Sequence, residues 1–269
     1  MAQQAWDVAG WRVFRERELR SEWGWLTLTG LFWLAEGNNT IGSDPASAIV
    51  VPRIAADAGR LVLRDQTIRL EPAAGSQFSI ALKPVLGATE LVSDVGGEPT
   101  DVRIGDCSLT VIRRSGLLAV RLRDRTSAVR TGFAGLTYFP ERPEFKLIGR
   151  FTRAAAPVEL KVATAIGREE AEIFVGQVEF EWEGKTFRMQ AQERAGGQLF
   201  LTFRDATSGT ASYGACRFLL CPAPLAGVVD LDFNRAYNPP CAFTPWATCS
   251  LPHPDNRLPF PVEAGEMAP

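Results

Sequence analysis

Asp230, Asp232 and Asn234 alternate with Val229, Leu231 and Phe233 over positions 229–234. In an extended strand this alternation puts the three apolar residues on one face and the two carboxylates and the amide on the other. Neighbours along that face stand about 6.6 Å apart at ~3.3 Å per residue. Such a row can act as acid and base, hold a hard cation through oxygen, or face water from a half-exposed sheet. The next stretch, 235–249, carries Tyr237, Asn238, Cys241 and Thr244 beside Phe243 and Trp246, and Pro239, Pro240 and Pro245 restrict its backbone. A loop fixed in this way suits a preorganised pocket or, equally, a plug over an open sheet edge. Upstream, Tyr213 and Arg217 share a strand face at a spacing of four, and Arg121, Arg123 and Arg125 alternate ahead of Arg130.

From these residues Asp232 is the candidate general base or acid and Tyr237 the candidate proton donor. Arg125, Arg130, Tyr213, Arg217, Asn234, Asn238 and Cys241 would hold a small polar or anionic ligand beside them, with Arg217 or Arg130 as anion clamp. Whether the chain is an enzyme is left open. No cofactor or resident metal is expected; a divalent cation at Asp230 and Asp232 is the alternative for the acidic row. The rival function is a protein–protein interaction module in which the C-terminal segment is purely structural, with Trp23, Trp25, Phe32 and Trp33 supplying aromatic contact area.

The composition narrows the chemistry. The single histidine, His253, lies between Pro252 and Pro254, so a catalytic triad or a two-histidine metal site would have to pass through a loop residue. Five cysteines, with no C-x-x-C spacing, exclude a zinc ribbon or a thioredoxin motif and read as reduced thiols, with pairing of Cys241 and Cys249 left open. Arginine supplies most of the basic residues, as bidentate capture of an acidic ligand or a codon bias would both produce. A formal charge of −2 gives no whole-chain basic field, so nucleic acid is not an expected partner. No apolar run approaches the ~20 residues of a membrane span. Positions 1–19 lack a secretory n-region and apolar stretch, which points to the cytoplasm.

The elements that would position these groups are mainly β. With 269 residues the chain can form one large β domain or two of ordinary size. Trp6, Trp11, Phe14 and Leu19 recur at helical steps, predicting an amphipathic helix over about 4–22 within an N-terminal segment 1–23. Short alternating runs between Gly, Pro, Asn and Asp then predict a β-sandwich over 24–122. Runs at 145–148, 158–162, 172–180, 186–191 and 199–203, with a hairpin turn at Glu183-Gly184-Lys185, predict a second antiparallel domain or partly open barrel over 123–269.

Several strings carry a resemblance: Gly24-Trp25-Leu26-Thr27-Leu28, Gly30-Leu31-Phe32-Trp33-Leu34, Glu36 to Ser43, Asp205-Ala206-Thr207-Ser208-Gly209 through Tyr213, Leu231-Asp232-Phe233-Asn234, Asn238-Pro239-Pro240-Cys241-Ala242-Phe243, Ala247-Thr248-Cys249, Asn256-Arg257-Leu258 and Ala264-Gly265-Glu266. With them the chain resembles, from about residue 11 to 267, the bacterial and archaeal family known as domain of unknown function 1684, a resemblance that implies no activity. The N-terminal half also resembles a forkhead-associated sandwich in outline. Ser43 follows Gly42 where that fold's phosphate-reading Arg would stand, and this half holds no histidine, so phosphopeptide binding is not implied.

Overall fold

Alternating apolar residues with β-branched and aromatic side chains dominate the chain beyond Gly24, and strands follow from them. The computed structural model describes residues 7–95 and 97–269. The chain is mainly β, with 45% of residues in strands, about double the usual share. One N-terminal helix, α1 (Val8–Arg20), starts where the Asp7 carboxylate accepts the Gly10 N–H at 2.7 Å. The helix was expected over about 4–22; positions 4–6, Trp6 among them, lie outside the described residues.

Two compact units divide the chain. The first, Arg20–Phe133, contains β1 (Leu28–Trp33), β2 (Gly37–Gly42), β3 (Ile49–Val50), β4 (Gly59–Arg64), β5 (Thr67–Pro72) and β6 (Ser79–Ile80). It continues with β7 (Lys83–Pro84), β8 (Thr89–Leu91), β9 (Asp101–Ile104), β10 (Cys107–Arg114), β11 (Leu117–Asp124) and the short helix α2 (Ala128–Thr131). A five-stranded sheet, β3-β2-β4-β5-β8, and a six-stranded sheet, β1-β11-β10-β9-β6-β7, share one core that includes Ile41, Leu61, Leu70, Phe78, Val111 and Val120.

The second unit combines residues 1–19 with 134–269. Its strands are β12 (Lys146–Ala163), β13 (Glu169–Trp182), β14 (Lys185–Glu193), β15 (Leu199–Phe203), β16 (Arg217–Cys221) and β17 (Val228–Asp232). In the order β16-β15-β14-β13-β12-β17 they curl into a nearly closed, barrel-like sheet around Val178, Phe180, Met189, Leu201, Phe203 and Leu231. Glu183 and Gly184, both at positive φ, make the two-residue turn between β13 and β14, with Trp182 opposite Lys185.

Three local expectations need correction. The runs at 145–148, whose Phe145 ends a 3₁₀ turn, and 158–162 lead into one strand, β12, whose register with β13 shifts between Arg153 and Val158. The strand expected to start at Tyr213 starts at Arg217. The row at 229–234 stays extended only to Asp232, because Phe233–Arg235 turn into a 3₁₀ helix.

Candidate functional site

The acidic row does not become a shared face. Asp230 is exposed and lies opposite Ile148 on β12. The Asp232 carboxylate caps the 3₁₀ turn, accepting the Asn234 N–H at 3.2 Å and the Asn234 amide at 3.1 Å, with Arg235 Nε at 3.4 Å. Asn234 is buried and clamps one peptide: its Oδ1 accepts the Arg142 N–H and its Nδ2 donates to the Arg142 carbonyl, both at 2.9 Å. Among the described residues no group of three or more His, Cys, Asp or Glu side chains could hold a metal ion. His253 accepts the Asp255 N–H at 3.3 Å and places its ring edge against Phe174.

Arg217 is fully buried. Its guanidinium pairs with the Asp205 carboxylate and donates to the carbonyls of Val262, at 2.7 Å, and Ala264. Asp205 in turn accepts the Thr207 N–H and hydroxyl, and that hydroxyl meets Ser212 Oγ at 2.8 Å. The turn 205–212 and strand β16 thus grip the C-terminal segment 262–266 through one ion pair. Burial lowers the Arg217 pKa and the Asp205 charge opposes that shift.

That segment delivers Glu266 to a polar cluster. Gly265, at φ +80, lies so close to residue 236 that a Cβ would sit 2.4 Å from the Ala236 carbonyl oxygen. Glu266, fully buried, then bridges opposite Tyr138 and accepts Arg15 Nε at 2.9 Å and the Asn238 N–H at 2.7 Å. Arg15 also donates to the Asn238 carbonyl at 2.8 Å and lies 4.9 Å over the Tyr237 ring, which Trp11 flanks. One helical turn earlier, Arg12 donates to the Phe139 carbonyl at 3.1 Å and lies 4.4 Å over the Tyr138 ring. Burial pushes Glu266 above the usual carboxylate range against the opposing Arg15 charge, and it pushes Tyr138 upward and Tyr237 to about 12. Both phenols therefore keep their protons near neutral pH. Among the described residues, the buried Tyr138 hydroxyl, Arg12 Nε and Asn238 Oδ1 have no hydrogen-bond partner.

Tyr213 and Cys241 also meet: the phenol donates to the Cys241 carbonyl at 2.8 Å. Arg125 and Arg130 fall in the other unit. Arg125 pairs with Glu22 and Asp106, and Arg130 donates to the carbonyls of Arg20, Ser21 and Arg125. The nine expected residues are therefore distributed among four local arrangements: Asp232 with Asn234, Arg217 with Asp205, Tyr237 with Asn238, and Tyr213 with Cys241, leaving Arg125 and Arg130 in ion pairs and backbone contacts of their own. Two surface hollows of the second unit are lined by none of the nine. One, of about 330 Å³, is bordered by Arg153, Phe174, Gln177 and Gln190; the other, of about 640 Å³, by Arg150, Glu179, Glu181 and Gly227.

Residues 131–267, just over half of the chain, match the profile of the family described as protein of unknown function DUF1684. The chain belongs to the DUF1684 family. The match covers the strings from Asp205 onward that carry the resemblance, whereas those at 24–43 lie outside it. Among solved structures, the solution NMR structure of an uncharacterized protein of Haloarcula marismortui is 30% identical, with 51% of this chain and 78% of that chain covered and a TM-score of 0.43. No curated protein matches the chain. Among the described residues no helix is long and apolar enough to cross a membrane.

Arg12, Arg15, Tyr138, Asp205 and Glu266 were missed as site residues. Asp205 and Glu266 stand in strings that carry the family resemblance, and that was their signal. The arginines had a weaker one: positions 12 and 15 share a helix face, but nothing in the sequence says that this face meets residues more than a hundred positions away.

Proposed function

We propose that the second unit of this DUF1684 protein binds a small anionic ligand at the cluster formed by Arg12, Arg15, Tyr138, Tyr237 and Asn238, with Glu266 holding Arg15 in place. The observation that carries this reading is the pair of unpartnered buried donors, Tyr138 Oη–H and Arg12 Nε–H, on side chains stacked 4.4 Å apart. A buried donor without an acceptor costs about 1–3 kcal/mol, so a ligand presenting acceptor oxygens would recover what the protein leaves unmet. Two guanidiniums and two protonated phenols make the cluster rich in donors, which favours a carboxylate or phosphate over a cation. Tyr237 remains the proton donor of this reading, while Asp232 serves the turn that precedes it.

The test is thermal unfolding of the full chain with millimolar inorganic phosphate and a series of short mono- and dicarboxylates. At least one anion is expected to raise the melting temperature in a concentration-dependent way. Tyr138→Phe and Arg12→Met should each abolish that rise; Tyr138→Phe should leave the unliganded melting temperature within a few degrees, because Tyr138 Oη makes no protein hydrogen bond, whereas Arg12→Met also removes the hydrogen bond to the Phe139 carbonyl and should lower it. No response to any of these anions, or a response that both variants retain, would refute the assignment.

A further inference from the structure

We propose that the outer face of the six-stranded sheet in the first unit is a binding site for a phosphate or carboxylate group, received by Arg123 beside Trp25. The site follows from strand register. Val102 and Ile104 of β9, Leu109 and Val111 of β10, and Val120 and Leu122 of β11 point into the core, so the residues that alternate with them point away from it. On that outer face Arg103 of β9, Ser108 of β10 and Arg123 of β11 form one row, and Asp101, Thr110 and Arg121 form the next. The middle strand contributes only Ser108 and Thr110, both buried. It thus makes a floor of hydroxyls between two walls of longer side chains.

Two tryptophans flank the walls. Arg103 Cζ lies 3.4 Å from the centre of the Trp23 ring, and the Cζ atoms of Arg121 and Arg123 lie 5.3 and 5.6 Å from that of Trp25. A guanidinium that meets an indole through its face directs its N–H groups sideways, in its own plane, where an oxygen is met edge-on.

Charge then singles out Arg123. Both oxygens of Asp101 are engaged elsewhere: Oδ2 accepts Arg103 Nε at 2.7 Å and pairs with its Nη2, and Oδ1 accepts the Ser108 hydroxyl. Arg123 is left with a buried Nε that, among the described residues, makes no hydrogen bond. Positions 1–6 and 96, outside them, contain no Asp or Glu that could neutralise it. Burial lowers the Arg123 pKa, an effect that Asp101 opposes and Arg103 reinforces. A half-buried cation with an unmet donor destabilises a protein that stays unliganded and favours one that takes up an anion. An oxyanion seated on this face would accept the N–H edge of Arg123, meet the Thr110 hydroxyl diagonally across β10, and bring the negative charge that Asp101 does not supply.

The test is isothermal titration calorimetry of the full chain carrying Tyr138→Phe, with inorganic phosphate and with succinate in low-salt buffer. That background removes the anion response expected of the second unit, so the heat that remains reports on the first. At least one of the two anions is expected to bind, and more weakly as sodium chloride is added. Adding Arg123→Met, which keeps an apolar stem beside Trp25, should weaken that binding by about tenfold or more. Without anion, the Arg123→Met chain should melt no lower than its parent, since the substitution removes a cation that the fold leaves uncompensated. No binding of either anion, equal affinity with and without Arg123→Met, or a clear fall in the anion-free melting temperature of that variant would overturn the proposal. None of these results bears on the Arg12 and Tyr138 cluster, which is tested in the chain that keeps Arg123.

Discussion

Arg217 and Asp205 show how a polar residue can look functional in sequence and serve the fold. Both side chains are fully buried, and the guanidinium also carries the carbonyls of Val262 and Ala264. Removing one charge leaves the other uncompensated in a dry interior, so Asp205→Asn should cost about 3–5 kcal/mol, read from the urea midpoint of the full chain. Asp205→Asn combined with Arg217→Met should be clearly milder than the sum of the single changes; simple additivity would mean that the two groups are not coupled. The same chemistry explains how much of the site could be read from sequence. Arg217, Asn234, Tyr237 and Asn238 stand out by residue type, and all four are buried or partly buried. Their partners are largely backbone groups, such as the Arg142 peptide and the carbonyls of residues 262, 264 and 267. A peptide group has no signature in the sequence, so side-chain type revealed that these residues are engaged without revealing what engages them.

Strand β12 shows the corresponding limit at the level of elements. Its two ends were readable as alternating runs, but Ala154-Ala155-Ala156-Pro157 between them has neither alternation nor β-branched residues. That stretch falls where the register with β13 shifts, and a shifted segment has no need of the period-two pattern. The partner strand meets it with Gly176, opposite Arg153, where a Cβ would sit 2.3 Å from the Thr152 carbonyl oxygen and 2.9 Å from the Arg153 Cα. Backbone atoms cannot yield as a flexible side chain can. Gly176→Ala should therefore destabilise the chain by about 1–3 kcal/mol in chemical unfolding. Ala at Gly184, where a Cβ would meet no atom within 4 Å, should cost less despite its positive φ. Equal losses at the two positions would mean that backbone conformation, and not the close approach of β12, sets the cost. β10, buried at six consecutive positions, and β11, which opens on the apolar run Leu117-Leu118-Ala119-Val120, were readable instead as apolar segments on either side of the Ser115-Gly116 turn.

At the scale of the whole molecule, chain order conceals which segments belong together. The sequence suggested a break near 122–123 and a separate N-terminal helix, whereas the compact units divide at 133–134 and residues 1–19 group with the C-terminal part. The contact between Arg15 and Glu266 spans 251 positions, and no local periodicity reports such a return. The two units also carry carboxyl groups shifted in opposite directions. In the first, burial would raise Asp124, but hydrogen bonds from Arg53, at 2.6 Å, and from Thr126 outweigh it and hold the carboxyl below its ordinary value. A lowered folded-state pKa contributes stability that is present above the unfolded value, ~3.9 for Asp, and is lost as pH falls through the folded value. In the second, burial raises Glu266. A raised value contributes stability that is full below the unfolded pKa, ~4.3 for Glu, and is lost as pH climbs through the folded value. Lowering the pH toward ~4.3 should therefore raise the urea midpoint through Glu266, and acid below ~3.9 should remove the Asp124 contribution. Glu266→Gln should flatten the change above ~4.3, and Asp124→Asn should flatten the loss below ~3.9. If Glu266→Gln keeps the unmodified slope above ~4.3, burial does not hold that carboxyl above its unfolded value.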